Sequence, residues 1–315
     1  MKKVLITTGD PDGIGFEISA KAFYKIGPKS NVQFFYYFNE ACEKKYLKLI
    51  EKKFKIVKAY SLSEALALDL KKNQIIQISC TKNPALCFED AVIAAKEKKL
   101  DAIVTAPLSK ELIEQSGLSD RGHTDIIRRL VNQDQNIYMA FIGEYFSLML
   151  VTDHIMLKDV AAKVTKETLS DILKTGARFF DLLKTPKSKR KIGVLGLNPH
   201  AGEIKNLGFE ERNMIFPAIQ EAQRNGLNVH GPLVADVAFQ SPHYKKYPLF
   251  IAMYHDQGLI PFKMLHKKNH GVQISLNTPF VRVSVDHGCA KDIFGKNKAD
   301  ASSMIRAIQT ALKIV

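Results

Sequence analysis

Thiol chemistry is thinly represented in this chain. Its four cysteines, Cys42, Cys80, Cys87 and Cys289, form no CxxC pair, which fits a reducing compartment and argues against a thiolate zinc site. No role is assigned to them from sequence. No apolar run approaches the ~20 residues of a membrane span. The opening MKKVLITTGDPDG has too short an apolar stretch before Gly, Asp and Pro to be a secretory signal. A soluble, cytoplasmic protein is expected. Repeats and low-complexity tracts are missing too, and Lys184 to Arg190 is the one plain exposed charged link. With 46% hydrophobic and 25% charged residues among 315, the disordered and fibrous classes are excluded. The formal net charge of +14 comes from lysines dispersed in pieces such as Glu43-Lys44-Lys45 and Glu97-Lys98-Lys99, with no aromatic-laced basic patch. Neither nucleic acid nor a membrane is an expected partner, although a positive field helps capture anionic small molecules.

What is present is an alternation of apolar, strand-like runs with amphipathic segments. The runs are Val4 to Thr8, Val32 to Tyr37, Gln74 to Ile78, Ala102 to Thr105, Ile137 to Ile142, Ser147 to Val151, Ile192 to Leu197 and Leu249 to Tyr254. Helical spacing marks Leu86 to Lys99, Glu167 to Leu183, Glu210 to Asn225 and a closing helix from Ala301 to Ile314. This pattern predicts an α/β fold with helices on both sheet faces, as one large domain or two smaller ones. Met264 to Val281, with Gly, Asn and Pro among short β-like pieces, reads as a loop and hairpin.

Three histidines stand at the ends of apolar runs: His154 in LMLVTDHIML, His200 in KIGVLGLNPHAGE and His255 in PLFIAMYHDQG. One such histidine is explained as a hydrogen-bonded residue at a strand end. Three equivalent placements favour a metal site, because ligands gather at the carboxyl ends of strands and three imidazoles leave a position open for substrate. Asp153, Glu203 and Asp256 lie close in sequence and can orient imidazoles.

Other loops carry chemistry as well. Gly9-Asp10-Pro11-Asp12-Gly13-Ile14-Gly15 follows the first strand and opens a helix, with a spacing that is neither Walker A nor GxGxxG. In Gly122-His123-Thr124-Asp125, Thr124 can cap a helix while His123 faces a cleft; a simple cap explains the motif equally well. Lys263 and Arg282 flank the Met264 to Val281 stretch and can converge on a phosphate.

The segment Asp286-His287-Gly288-Cys289-Ala290-Lys291-Asp292-Ile293-Phe294-Gly295 resembles the loop with which the isocitrate and isopropylmalate dehydrogenase superfamily holds the adenosine half of its nicotinamide cofactor. Together with GDPDGIGFE, GHTD, NPHAGE, GPLVAD, MYHDQGLIPFK and TPFVRVSVDHG, it resembles one branch, the 4-hydroxythreonine-4-phosphate dehydrogenase family. These motifs run from Gly9 to Asp300.

The resemblance implies two α/β/α subdomains with a cleft between them, 1–135 plus 280–315 carrying the cofactor loop and 136–279 carrying the metal ligands and dimer contacts. It implies one divalent metal (Zn, Co or Mg) on His154, His200 and His255. Substrate contacts fall on His123, Thr124, Lys263, Gln273 and Arg282, and cofactor contacts on His287, Gly288, Ala290, Asp292 and Gly295. Asp236 and Asp256 fall at acidic positions near the site. The cofactor implied is NAD, with NADP possible, and the assembly is a homodimer with its active site at the subunit interface. Departures are Gln273 where the family has asparagine, Phe16 where proline is common, and Cys289 for threonine or serine.

The implied reaction oxidises and decarboxylates 4-phosphohydroxy-L-threonine to 3-amino-2-oxopropyl phosphate and carbon dioxide, in vitamin B6 biosynthesis. A metal on the alcohol oxygen favours the alkoxide from which hydride leaves. His123, Lys263 and Asp256 are the candidates for proton transfer. Two other readings stand beside this one: a dehydrogenase of erythronate or threonate 4-phosphate, and a metal-dependent phosphohydrolase needing no nicotinamide.

Overall fold

The computed structural model describes residues 1–38, 44–131, 136–201, 208–266 and 271–315. Contacts divide the chain into two units, Met1–Asp134 with Thr278–Val315, and Gln135–Asn277. Cys42 and Glu203 lie outside the described residues. Among the described residues no helix is long and apolar enough to cross a membrane.

In the first unit six strands pair in parallel, in the order β3 (Lys55–Ala59), β4 (Gln74–Ser79), β2 (Val32–Phe38), β1 (Lys2–Thr7), β5 (Ala102–Thr105) and β12 (Val281–Val285). β5 is buried along its whole length, and so are Val4, Leu5 and Ile6 of β1, as strands covered on both faces must be. Helix Gly15–Ile26 lays Phe16, Ile18 and Phe23 on the sheet; the ring of Phe23 meets those of Phe34, Tyr36 and Phe54. Helix Pro84–Lys96 begins ahead of the expected Leu86, because the Asn83 side chain accepts the Ala85 N–H at 2.8 Å and Pro84 is preset for a first turn.

The strand order reverses direction between β1 and β5, and open parallel sheets take ligands at the carboxyl ends of such a pair. Here the first glycine loop makes its turn. Gly9 has φ +67°, and a Cβ there would lie 1.9 Å from the Pro107 carbonyl oxygen. Asp10 N–H donates to Pro107 O at 3.1 Å, and the Asp10 carboxylate accepts Ser109 N–H at 2.8 Å.

The second unit carries the order β11 (Val272–Leu276), β6 (Tyr138–Ile142), β7 (Ser147–Leu150), β10 (Leu249–Ala252), β8 (Ile192–Leu195) and β9 (Val229–Leu233). β6 runs antiparallel to both β11 and β7, whereas β7, β10, β8 and β9 are parallel. Its core packs Phe146, Leu148, Phe250, Leu259 and Phe262. His266 serves this core: one ring nitrogen pairs with Phe262 O at 2.7 Å and the other accepts Tyr145 N–H at 3.1 Å. Burial lowers its pKa and keeps it neutral.

Several segments depart from expectation. β3, β9 and β12 were not among the expected strands. Met264 to Val281 is not wholly loop and hairpin, for helix His255–Leu265 enters it and β11 pairs in register with β6, Gln273 opposite Phe141. The expected Glu210–Asn225 helix is present but carries a π-helical turn, Glu211–Ile215, ahead of helix Phe216–Arg224. The cause is Glu211, fully buried, whose carboxylate accepts Leu197 N–H (2.7 Å), Asn198 N–H (2.8 Å) and the Asn198 side-chain amide (2.8 Å).

Replacing Glu211 with alanine strands these donors in the interior. The Glu211→Ala protein is expected to lose about 3 kcal/mol of unfolding free energy in urea titration. A loss under about 0.5 kcal/mol, the size of an ordinary surface change, contradicts this account.

Candidate active site

Parallel pairing of β7 with β10, Ser147 opposite Leu249 through Leu150 opposite Ala252, delivers two of the three strand-end histidines to one place. The pairing continues past both strands. Val151 N–H donates to Ala252 O at 2.9 Å, and the Thr152 hydroxyl donates to Met253 O at 2.7 Å. His154 and His255 follow a few residues on, with ring centroids 5.1 Å apart and planes at 42°. Two imidazoles on one tetrahedral ion, each nitrogen ~2.0–2.1 Å from it, have centroids about 5 Å apart, so this pair fits two corners of such a site.

His255 is the first residue of helix His255–Leu265 and not a strand end, since β10 stops at Ala252. One of its ring nitrogens, Nδ1, lies 2.7 Å from an Asp256 carboxylate oxygen. Because a carboxylate only accepts, Nδ1 carries the hydrogen of this contact, and Nε2 is the nitrogen turned away from Asp256. Asp153 turns its carboxylate to His154 N–H at 2.8 Å. His200 follows β8 in an exposed turn at φ +57°. It is not gathered with the pair: among the described residues no three His, Cys, Asp or Glu side chains form a metal-binding group.

Gln257 ties the ends of β10 and β8 together, accepting Met253 N–H at 2.7 Å and donating to Gly196 O at 2.6 Å. Sequence reasoning passed over it and over Glu211, since a glutamine or glutamate in a helical segment reads as solvent-facing. The remaining site residues of this unit are dispersed. Lys263 is exposed near the far end of helix His255–Leu265, Asp236 is exposed on the short helix Ala235–Ala238, and Gln273 is buried on β11.

In the first unit, helix His123–Val131 starts at His123, so Thr124 lies inside its first turn and is not its cap; Gly122 O receives the N–H groups of Asp125 and Ile126. The imidazole of His123 sits edge-on to the Phe88 ring, centroids 4.6 Å apart. Desolvation, and then the positive charge of Arg282, lower its pKa well below the ordinary value. Arg282, on β12, is 2% exposed and donates to the Thr105 hydroxyl at 2.7 Å. Burial brings its pKa down to about 9.

The segment from Asp286 to Gly295 is held at both ends. Asp286 and Ser303 exchange hydrogen bonds of 3.3 and 2.9 Å. Beyond Gly295, whose carbonyl accepts the Lys45 ammonium at 3.2 Å, Ala299 N–H donates to Glu17 and Ala299 O accepts from Lys21. Glu17 also receives Lys21 at 2.6 Å and the Tyr46 hydroxyl at 2.8 Å. The middle leans on the glycine loop: Ile14 N–H donates to Cys289 O at 3.0 Å, and Lys291 lies 2.9 Å from Asp12 and 3.5 Å from Asp10. Ala290 sits in the left-handed region at φ +46°, ψ +51°, a conformation of higher energy for a residue with a Cβ. Asp292 and Gly288 are exposed, and Nδ1 of His287 lies 3.0 Å from Gly288 O.

Comparison with known proteins bears on this arrangement. A family model described as "Pyridoxal phosphate biosynthetic protein PdxA" matches residues 30–311. A relative from Sulfurihydrogenibium sp. (strain YO3AOP1), named 4-hydroxythreonine-4-phosphate dehydrogenase, is 37% identical over 321 residues, covering 99% of this chain and 98% of its own. The crystal structure of the Klebsiella pneumoniae protein of that name superposes with a TM-score of 0.75 at 27% identity, covering 100% of this chain and 99% of that one. Isocitrate dehydrogenase from Methylococcus capsulatus, at 13% identity and a TM-score of 0.52 over 99% of this chain and 85% of its own, shares the fold alone, which is the α/β fold class expected from sequence. The chain belongs to the PdxA family of pyridoxal phosphate biosynthetic proteins.

Proposed function

We propose that this protein is a cytoplasmic, homodimeric dehydrogenase, dependent on NAD and a divalent metal, that oxidises and decarboxylates 4-phosphohydroxy-L-threonine to 3-amino-2-oxopropyl phosphate and carbon dioxide in vitamin B6 synthesis. Family membership supports the reaction class. The observation that carries the metal-dependent reading is the facing pair His154 and His255, with Asp256 holding one ring in a ligand tautomer.

In this reading His154 and His255 hold the metal, and His200, which lies outside the pair in this structure, is the third ligand only as the family resemblance implies it. When bound, the metal supplies Lewis acidity at the substrate hydroxyl, and the nicotinamide accepts hydride. Asp256 accepts the His255 proton and fixes the ring, so its role is orientation rather than proton transfer to substrate. Arg282, desolvated yet cationic at neutral pH, suits the substrate phosphate, because an anion beside it restores what burial removed. Lys263, Thr124 and Gln273 complete the substrate contacts. Gln273, one methylene longer than the asparagine of relatives, keeps both donor and acceptor. His123, neutral at pH 7, is able to accept a proton.

His287, Gly288, Ala290, Asp292 and Gly295 form the adenosine-side loop. The exposed apolar residues Ile155, Met156 and Leu157, beside His154, and Ile260 and Met264, at helical i, i+4 spacing after His255, suit burial by a second copy.

NADH formation is measured with 4-phosphohydroxythreonine and with erythronate 4-phosphate, before and after chelation and after restoring single metals. Turnover on the former alone, lost on chelation, is expected. Turnover on erythronate 4-phosphate alone supports the neighbouring dehydrogenase, phosphate release without NADH supports a phosphohydrolase, and no turnover on either substrate overturns the reading.

Asp256→Asn is expected to weaken metal binding by about 10–100-fold at unchanged circular dichroism, measured by competition with a chromogenic chelator. Unchanged affinity removes Asp256 from the orienting role. The exposed carboxylate of Asp292 suits a ribose hydroxyl and repels a 2′-phosphate. Asp292→Asn is therefore expected to raise the efficiency with NADP relative to NAD; an unaltered ratio shows that this carboxylate does not set the preference.

A further inference from the structure

Cys80 and Cys87, given no role by their spacing, are brought into contact by the fold. Cys80 follows β4, and Cys87 lies in the first turn of helix Pro84–Lys96. The Asn83 cap folds the intervening residues back: its side-chain amide donates to Leu112 O at 3.0 Å, and its carbonyl accepts Cys87 N–H at 3.1 Å. The two sulfurs lie 3.1 Å apart as free thiols.

They line a small cavity in the first unit, about 20 Å³, whose wall also includes Thr7, Tyr37, Phe88 and His123. That is room for one molecule of about the size of water. Two hydroxyls on this wall have no hydrogen-bond partner among the described residues: Thr7, 4% exposed, and Tyr37, 6% exposed. Orphaned hydroxyls at such burial ask for a small polar guest. Burial and the neighbouring Cys87 and Asp90 push the Tyr37 phenol far up, so it stays a neutral donor. Burial likewise raises the Cys87 thiol, which leaves the less buried Cys80 as the sulfur that attacks a guest of the cavity.

We propose that Cys80, Cys87 and the Thr7–Tyr37 cavity form a peroxide-reactive dithiol site, whose closure to a disulfide displaces Phe88 and with it His123. The Cys80 thiolate attacks one peroxide oxygen and the O–O bond breaks. With hydrogen peroxide, sulfenic acid forms and the other oxygen leaves as water after taking a proton. Cys87 then attacks the Cys80 sulfur, the S–O bond breaks and a second water leaves. Two thiols and one peroxide become one disulfide and two waters, the sulfurs being oxidised and the peroxide reduced. A cavity of this size admits hydrogen peroxide and excludes glutathione disulfide. Phe88, next to Cys87, transmits the change through its edge contact with the His123 ring. The thiol chemistry stands apart from the proposed function, and only its effect on turnover rests on that reading.

The reduced full-length protein is treated with hydrogen peroxide or with glutathione disulfide, then alkylated, digested and mapped by mass spectrometry. Peroxide is expected to give a Cys80–Cys87 linked peptide, two hydrogens lighter than the thiol pair and reversed by dithiothreitol, while glutathione disulfide gives none. Cys80→Ser abolishes the link and retains turnover; Tyr37→Phe slows its formation several-fold. On oxidation the His123 imidazole NMR signal moves, and NADH formation falls about 10–100-fold, the effect of a displacement of roughly 1 Å at a positioning group. If peroxide leaves both thiols open to alkylation, the site is refuted. A link that leaves the His123 signal and turnover in place refutes the coupling. If the reduced protein forms no NADH, the proposed function fails instead, and the mapping and NMR arms still decide this proposal.

Discussion

Four residue pairs between β7 and β10 determine what the second unit can do. Parallel pairing from Ser147 with Leu249 to Leu150 with Ala252 runs both strands out at the same edge, so that His154 and His255 emerge side by side. A shift of one residue would turn every side chain of one strand to the other face and separate the rings. The register is held by burial: Leu148, Leu150, Phe250 and Ala252 all enter the same core, which a slipped strand would expose to water. Gln257 and Glu211 carry the constraint onward, one joining the ends of β10 and β8, the other gripping the turn that begins at Leu197. The polar geometry of the candidate metal site is thus a by-product of apolar packing, fastened by two side chains that do not themselves offer a ligand.

In the first unit the comparable constraint is polar. The glycine loop and the Asp286 to Gly295 loop are both irregular backbone, and neither has an apolar core of its own. What orders them is a chain of charge-assisted bonds, from Asp10 and Asp12 through Lys291, and from Glu17 through Lys21 to Ala299. Glu17 is buried, and its oxygens receive an ammonium, a phenol and a backbone N–H, which is what makes its charge tolerable there. Such an arrangement holds both loops in place while the Asp292 carboxylate stays exposed.

Much of the fold was legible because parallel strands buried on both faces are continuous apolar runs; β1, β5, β7, β8 and β10 could be marked within a few residues. β11 was not, because VQISL carries Gln273 and Ser275, and both are buried by sheet pairing that no local pattern reveals. Glu211 went unremarked within a helical segment, and its inward turn meets the N–H groups of Leu197 and Asn198, whose need for an acceptor is visible only once β8 has ended. The facing of His154 and His255 depends on which strands are neighbours. His200 shares their sequence signature yet stands outside the pair, in a turn beyond β8 whose first residues, Leu197 and Asn198, are held by Glu211. Cys80 and Cys87 are the plainest case: their spacing matches no metal or redox motif, and only the Asn83-Pro84 cap brings them together.

Arg282 and His123 show how the charges of the first unit bear on the proposed chemistry. A guanidinium removed from water raises the free energy of the ligand-free protein, and its field, with desolvation, keeps His123 unprotonated. An anionic group bound beside Arg282 acts on both at once. On the proposed reading it gives the guanidinium a charge-assisted partner, and it offsets the smaller, electrostatic part of the lowering at His123 while burial, the larger part, remains. On that reading the imidazole gains some basicity when the phosphate binds and loses it when the phosphate leaves. This ties proton acceptance to occupancy without any movement of the backbone.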